Sequence, residues 1–373
     1  MSKLTDVFST FVNLMIKHKG TPMDMPTSID FEALLLAGKI DEPLYRKIGA
    51  AATSHWGAGY ADDPANRRAV DAVVFQRHDN TVRHVMPWIN RVSSIADRSW
   101  IDYGCGCGSS SLALSRIAPF VDSYEIFPPS VAAYQVRMEA FGVQNTQIHT
   151  GPPETLVDDA VANIGPDTSV LLLAVVEHLL EAERVDYLTK IWDALAPGQV
   201  LVIVETPNFA ACFDTHTFHM PFIHMASDEV IFPYLKTQPS SLRFRDPLVV
   251  AYENEGITKA SQYRKRYGVG CTHHLFEVAF GRDLNEVVVA DGFDQEMLSW
   301  FNISPDDTLL LSAFDLYKIE APVGFAKNVL SFVFRKPISA EQAAETTKWN
   351  VARKEEIIAK YALSRKKDLA PSS

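Results

Sequence analysis

Cysteine is scarce in this chain. Four of them in 373 residues, Cys105, Cys107, Cys212 and Cys271, are too few and too scattered for a disulfide framework, and this usage fits a reducing compartment. An excess of positive charge is missing too. The 35 Lys and Arg face 46 Asp and Glu, for a net charge of −11. That balance argues against a general nucleic-acid surface, because affinity for phosphate backbones comes mainly from clustered basic residues. No apolar run is long: Val170–Val176 falls far short of the roughly 20 residues that a membrane helix needs. Residues 1–20 lack a charged leader followed by an apolar stretch and a cleavage site, so no secretory signal is expected and the cytoplasm is the expected location. No internal repeat or low-complexity segment occurs, and a homo-oligomer stays open.

What the chain does have is a 47 % apolar composition, enough for a substantial core, and a change of pattern near residue 99. Residues 1–98 are expected to be a helical cap: Leu4–His18, Phe31–Ala37 and Pro43–Ala51 carry helical periodicity, interrupted at Thr21–Pro26, and Ala65–Ile95 supplies one or two longer helices. Trp56, Tyr60 and Arg67-Arg68, beside glycines, suggest a lid over a cleft; a helical layer that only completes the core is the alternative. Residues 99–206 alternate strand and helix, the pattern of a parallel sheet covered on both faces. After Thr206 the alternation breaks, and 207–300 reads as an inserted substrate-binding region. Thr308–Ile319 and Val329–Arg335, within 301–337, read as closing antiparallel strands, and 338–373 as a charged helical tail.

The segment Ser99-Trp-Ile-Asp-Tyr-Gly-Cys-Gly-Cys-Gly-Ser-Ser-Ser111 reads as a buried strand, a turn through Gly104, Gly106 and Gly108, and the start of a helix. Glycines there allow positive φ and close approach of a ligand to the backbone, while the first amides of the helix face the same ligand. The spacing is not the Gly-x-Gly-x-x-Gly of dinucleotide binders, and no Lys-Ser/Thr follows as nucleoside triphosphates require. Glu125, about 20 residues beyond, ends the second strand, where a carboxylate can accept both hydroxyls of a ribose.

With Asp102 ahead of the first glycine, this turn resembles motif I of the class I S-adenosylmethionine-dependent methyltransferases. Ala174-Val-Val-Glu-His-Leu179 and Pro197-Gly-Gln-Val-Leu-Val-Ile-Val-Glu-Thr-Pro-Asn208 are similar, in order and spacing, to segments of the small-molecule members; the resemblance covers residues 95–210. It implies a Rossmann-like α/β sheet, mostly parallel with a closing antiparallel strand, and S-adenosylmethionine as cofactor, with S-adenosylhomocysteine as product. It places cofactor contacts at Asp102, Gly104, Cys105, Gly106, Gly108, Glu125, Ile126, Pro153, Glu154 and Val175. One position departs from the family: in His149-Thr-Gly-Pro-Pro-Glu154, Pro152 stands where the family has an adenine-binding Asp, so Pro153 and Glu154 would have to replace it.

The acceptor side is read from histidines. His178 follows the fourth strand, and His216, His219, His224, His273 and His274 cluster in the insertion. A neutral imidazole is suited to take a proton from a hydroxyl or amine. Packed histidines among aromatics are the bland reading. A divalent metal is a further one, although the spacings His216-x-x-His219 and His273-x-x-x-Glu277 are loose for a ligand set. Arg243-x-Arg245 and Arg264-Lys-Arg266 read as a solvated basic face or as an anchor for an anionic substrate. The expected activity is methyl transfer to a small-molecule acceptor, on oxygen by preference and nitrogen next. A nicotinamide-dependent oxidoreductase and a non-catalytic nucleoside-binding protein are the rival readings.

Overall fold

A computed structural model describes residues 29–57, 59–242, 244–295 and 304–368. The expected helix Leu4–His18 and the break Thr21–Pro26 lie outside them, as does Arg243. Seven strands form one sheet: β1 (Ser99–Tyr103), β2 (Val121–Tyr124), β3 (Thr146–His149), β4 (Thr168–Leu173), β5 (Val200–Pro207), β6 (Val288–Asp291) and β7 (Val329–Arg335). Their order is β3-β2-β1-β4-β5-β7-β6. The first five strands pair in parallel, and β7 runs antiparallel to β5 and β6. The parallel part is what the alternation predicts, and the whole is the Rossmann-like, mostly parallel sheet with an antiparallel closing strand that the resemblance implies. The order reverses between β1 and β4, and such a switch point leaves a crevice beyond the carboxyl ends of the two strands.

Burial on both faces explains the apolar text of the central strands. In β4, Val170 and Leu172 join one core cluster while Leu171 and Leu173 join the other, and Leu201 and Ile203 of β5 alternate with Val200, Val202 and Val204 in the same way. Each such fully buried side chain contributes about 1.5–3 kcal/mol. The first cluster is covered by α6 (Pro153–Ala162), α7 (Glu181–Ala194), α11 (His273–Phe280) and α12 (Pro305–Leu316). The second is covered by α3, one helical run of Arg67–Asp71, Ala72–Gln76, Arg77–Asn80, Thr81–Val85 and Met86–Val92, whose second and fourth pieces are π-helical.

The remaining helices are α1 (Phe31–Ala37), α2 (Glu42–Ala52), α4 (Ser109–Ser115), α5 (Pro128–Ala140), α8 (Asp228–Lys236), α9 (Arg245–Glu255), α10 (Ile257–Tyr267) and α13 (Ala340–Asp368). The amino-terminal helices divide between two tasks. α3 completes the sheet's core through Val85, Met86, Trp88 and Ile89, whereas Ser54–Trp56 stands at the end of β2, with the His55 ring 4.7 Å from that of Phe127.

Two elements differ from the sequence reading. Thr308–Ile319 is not a strand: it falls mainly in helix α12, opened by a capping box in which Ser304 and Asp307 bond each other's amides. Ser312, Asp315 and Lys318 interrupt the apolar residues at helical spacing, and together with the cap they are the local signals that decide. The second closing strand is β6, which lies inside the stretch 207–300 drawn as an insertion. Ahead of it, α8, α9 and α10 enclose a small core of their own, built on Phe218, Ile231, Phe232, Leu235, Leu248 and Ala260.

Candidate active site

The glycine turn follows β1, with Gly104, Gly106 and Gly108 all at positive φ. They serve different ends. A Cβ on Gly104 would fall 2.5 Å from Val175, and one on Gly108 would fall 2.5 Å from the Tyr134 ring. Those two positions are closed by the protein's own packing. A Cβ on Gly106 would meet nothing within 4 Å, so this glycine faces open space.

Glu125 ties that turn to the end of β2. Its Oε2 accepts the amide of Gly106 at 2.8 Å, and its Oε1 accepts those of Ile126 and Phe127 at 2.7 and 2.8 Å. Three backbone donors fix the carboxylate, and the exposed apolar side chain of Ile126 flanks it. Asp102 is fully buried at the end of β1. Its Oδ2 accepts the hydroxyls of Ser110 and Ser111, each at 2.6 Å, and a chain of hydroxyls from Tyr134 through Ser123 and Ser111 ends on it. Its Oδ1 is buried with no hydrogen-bond partner. Burial, opposed by the two serine bonds, pushes its pKa up to about 6. Cys105 is buried beneath the turn, where desolvation raises its thiol well above the ordinary value. Pro153 begins α6 and its carbonyl accepts the Tyr187 hydroxyl, while Glu154 is exposed in the first turn of that helix.

A second group of side chains gathers after β4. Ala174 and Glu205 both adopt positive φ, at 56° and 65°, and lie at the adjacent ends of β4 and β5. Glu205 sits where the pairing of β5 with β7 shifts register between Ile203 and Thr206. Such a bulge re-aims a side chain, and Glu205 meets Arg77 of α3 at 3.6 Å. Arg77 leaves α3 between its two π-helical turns and reaches toward the Leu173 carbonyl.

Glu177 is completely buried. Thr206 donates to its Oε2 at 3.4 Å, but Oε1 has no hydrogen-bond partner. Desolvation pushes its pKa up to about 8. Oε1 lies 3.9 Å from Nε2 of His178 and 4.0 Å from Nε2 of His216. The ligand atoms of these three residues all fall within 4.8 Å of one another.

The segment between β5 and β6 delivers His216 by local and distant constraints together. Asp214 accepts the amides of His216, Thr217 and Phe218, which folds the turn on which His216 stands. Thr217 donates to the Gly268 carbonyl, and the His216 ring occupies the space where a Gly268 side chain would be, 2.4 Å from its Cβ position. Residues 264–270 are in turn fastened to α7. Arg266 pairs with Glu183 at 2.6 Å and Lys265 with Glu181 at 3.0 Å, while Arg184 donates to the carbonyls of Glu177, Val269 and Gly270. Arg264 pairs with Asp228, and Arg245 bonds the carbonyls of Leu235 and Lys236. Arg245, Arg264, Lys265 and Arg266 therefore act as fasteners of this segment, contrary to a freely solvated basic face.

Of the six candidate histidines, the structure brings together His178 and His216. His219 is exposed, at positive φ. His224 lies against Phe209, with Nε2 3.2 Å from its carbonyl. His273 and His274 pack on each other at the start of α11, near Phe325, and burial lowers the pKa of His273. Neither of the two spaced pairs weighed for a metal forms such a group among the described residues. Sequence reasoning passed over Glu177, Arg77 and Glu205. The first was in plain view beside His178, but the other two depend on helix packing and on a bulge that no local pattern announces.

No family model matches the chain, and no curated protein matches its sequence. Among solved structures, it is similar to CalS10, an amino pentose methyltransferase from Micromonospora echinaspora, at 22 % identity and TM-score 0.28, over 38 % of this chain and 56 % of that one. It is also similar to the magnesium protoporphyrin IX methyltransferase of Synechocystis PCC 6803, at 22 % identity and TM-score 0.29, over 35 % of this chain and 57 % of that one. A third is the pyocyanin biosynthetic protein PhzM, at 12 % identity and TM-score 0.36, over 75 % and 61 %. The chain thus spans little more than half the length of these proteins. At such values the likeness adds nothing to what the strand order already shows.

Proposed function

We propose that the protein transfers the methyl group of S-adenosylmethionine to a small-molecule acceptor, with hydroxyl oxygen preferred and amine nitrogen next. The observation that carries this reading is the pairing of Gly106, which faces open space, with the fixed carboxylate of Glu125 at the switch point of the sheet. When bound, the cofactor supplies an electrophilic methyl group on a sulfonium and leaves as S-adenosylhomocysteine.

The residues present fit that group. Oε2 of Glu125 accepts one amide and keeps capacity for ribose hydroxyls, in charge-assisted bonds. The orphaned Oδ1 of Asp102 is a buried acceptor that a ligand's ammonium group would satisfy. Ile126 and Phe127 expose apolar surface beside Glu125, where a base would pack, and Ser54–Trp56 lies over the same end. The acceptor belongs on the other side of the crevice, against the insertion. Alignment of the acceptor is the chief task of the protein, since the methyl donor is already activated. The acceptor loses its proton at the cluster of Glu177, His178 and His216, where the histidine of the segment between β5 and β6 meets the sheet. The four free thiols support a cytoplasmic location.

The test is product formation. The purified chain is incubated with S-adenosylmethionine and a panel of phenols, catechols, aliphatic alcohols and amines, and S-adenosylhomocysteine is followed by mass spectrometry. The reading predicts acceptor-dependent product, most strongly with hydroxyl compounds. Binding of the cofactor with no product from any acceptor would favour the non-catalytic reading.

A further inference from the structure

The cluster beyond β4 has the makings of a metal centre. We propose that Glu177, His178 and His216 bind a divalent first-row transition-metal ion that leaves coordination positions open to the acceptor. The site is argued from its own donors; only its task, activating the acceptor, rests on the methyl-transfer reading.

Three observations converge. The first is the buried Oε1 of Glu177, which has no hydrogen-bond partner and points between two imidazoles. A buried carboxylate with one oxygen left without a hydrogen bond is costly, and a cation offsets that cost. The second is the tautomer of His178. Its Nδ1 lies 2.9 Å from the Arg266 carbonyl, and a carbonyl only accepts, so Nδ1 carries the hydrogen and the neutral ring turns the Nε2 lone pair toward Glu177. A ligating histidine is held in just this way by a backbone carbonyl on its other nitrogen. The third is distance. The separations of 3.9 and 4.0 Å are too long for hydrogen bonds, yet shorter than twice a metal–ligand bond of about 2.1 Å. The two imidazoles, within 4.8 Å of each other, close on a common ion by a small ring rotation of His178, whose side chain is 41 % exposed.

The donor set selects the ion. One carboxylate and two imidazoles suit Mn, Fe, Co, Ni or Zn, whereas Mg and Ca prefer oxygen ligands throughout. With three protein ligands, positions remain for an oxygen of the acceptor. A hydroxyl bound there is acidified by the ion and gives its proton to solvent, leaving a better nucleophile.

The full chain, stripped with chelator and titrated with Co²⁺, tests this by visible absorption, with Zn²⁺ added in competition. One equivalent of Co²⁺ should bind with a ligand-field band that Zn²⁺ abolishes. His216→Ala and Glu177→Gln should each weaken binding at least about 100-fold. His178→Ala, at a half-exposed position, should do the same and serves if the buried Glu177→Gln does not fold. Calorimetric titration of S-adenosylmethionine into His178→Ala and His216→Ala should give wild-type affinity, so the metal site and the cofactor site are read separately. A wild-type chain that takes up no stoichiometric Co²⁺, or histidine variants that bind it as tightly as wild type, would overturn the proposal.

Discussion

Nε2 of His216, carried by the segment between β5 and β6, lies 4.0 Å from Oε1 of Glu177, just beyond the central strand β4. That meeting joins the segment between β5 and β6 to the sheet, and it rests on a glycine. Gly268 has φ 125° and its Cβ position lies 2.4 Å from two atoms of the His216 ring.

Gly268→Ala should therefore displace His216. We expect it to lower turnover by about 10²- to 10⁴-fold, the usual loss when the group that promotes proton loss from the acceptor is removed, and to match His216→Ala. Alanine variants of His219 and His274, both exposed, should keep turnover within about twofold of wild type, in keeping with surface substitutions. Steady-state kinetics on the four variants decides the matter. Equal loss in all four, or none in Gly268→Ala, would remove His216 from the site.

Gly106→Val tests the open face of the turn. The new side chain would enter the space in front of the glycine and hold a β-branched residue at φ 55°, a strained conformation. Cofactor binding by calorimetry should be abolished, with the fold retained by circular dichroism. Normal binding would show that the turn is only structural.

These sites differ in how far the sequence discloses them. The placement of the turn, Asp102 and Glu125 is legible because it is local: glycine spacing, a strand end and a carboxylate lie within one strand–helix–strand unit. The central strands are legible because burial on both faces writes continuous apolar runs. Thr308–Ile319 misleads because Leu309-Leu-Leu311 reads as a strand when taken alone, although Ser312, Asp315 and Lys318 recur at helical spacing beyond it. The pairing of Glu177 with His216 is hidden for another reason: it depends on how Arg184, Lys265 and Arg266 lash the insertion to α7, and no local pattern encodes that. Glu205 is hidden because its positive φ comes from a bulge against β7.

Asp102 gives a pH prediction whose sign is fixed. Its pKa is raised in the folded protein from 3.8 to about 6. Its contribution to stability is therefore fully present below pH 3.8 and is lost as pH rises through 6. The interval corresponds to about 3 kcal/mol. Asp102→Asn cannot ionise and escapes that loss. Urea unfolding of both proteins at pH 4 and pH 7.5 should show the variant gaining about 2 kcal/mol on the wild type between the two conditions, since part of the loss has already occurred at pH 4. A constant difference would mean that Asp102 ionises as freely as in the unfolded chain.

The central claim is that Glu125 holds the ribose of S-adenosylmethionine. Removing a charged acceptor from such hydroxyls costs about 2–3 kcal/mol, or roughly 30- to 150-fold in affinity. Titration calorimetry of S-adenosylmethionine and of NADH into the wild type and Glu125→Ala measures this directly. The account predicts tight binding of S-adenosylmethionine alone, weakened by that factor in the variant; binding of NADH instead, or unchanged affinity in Glu125→Ala, would contradict it.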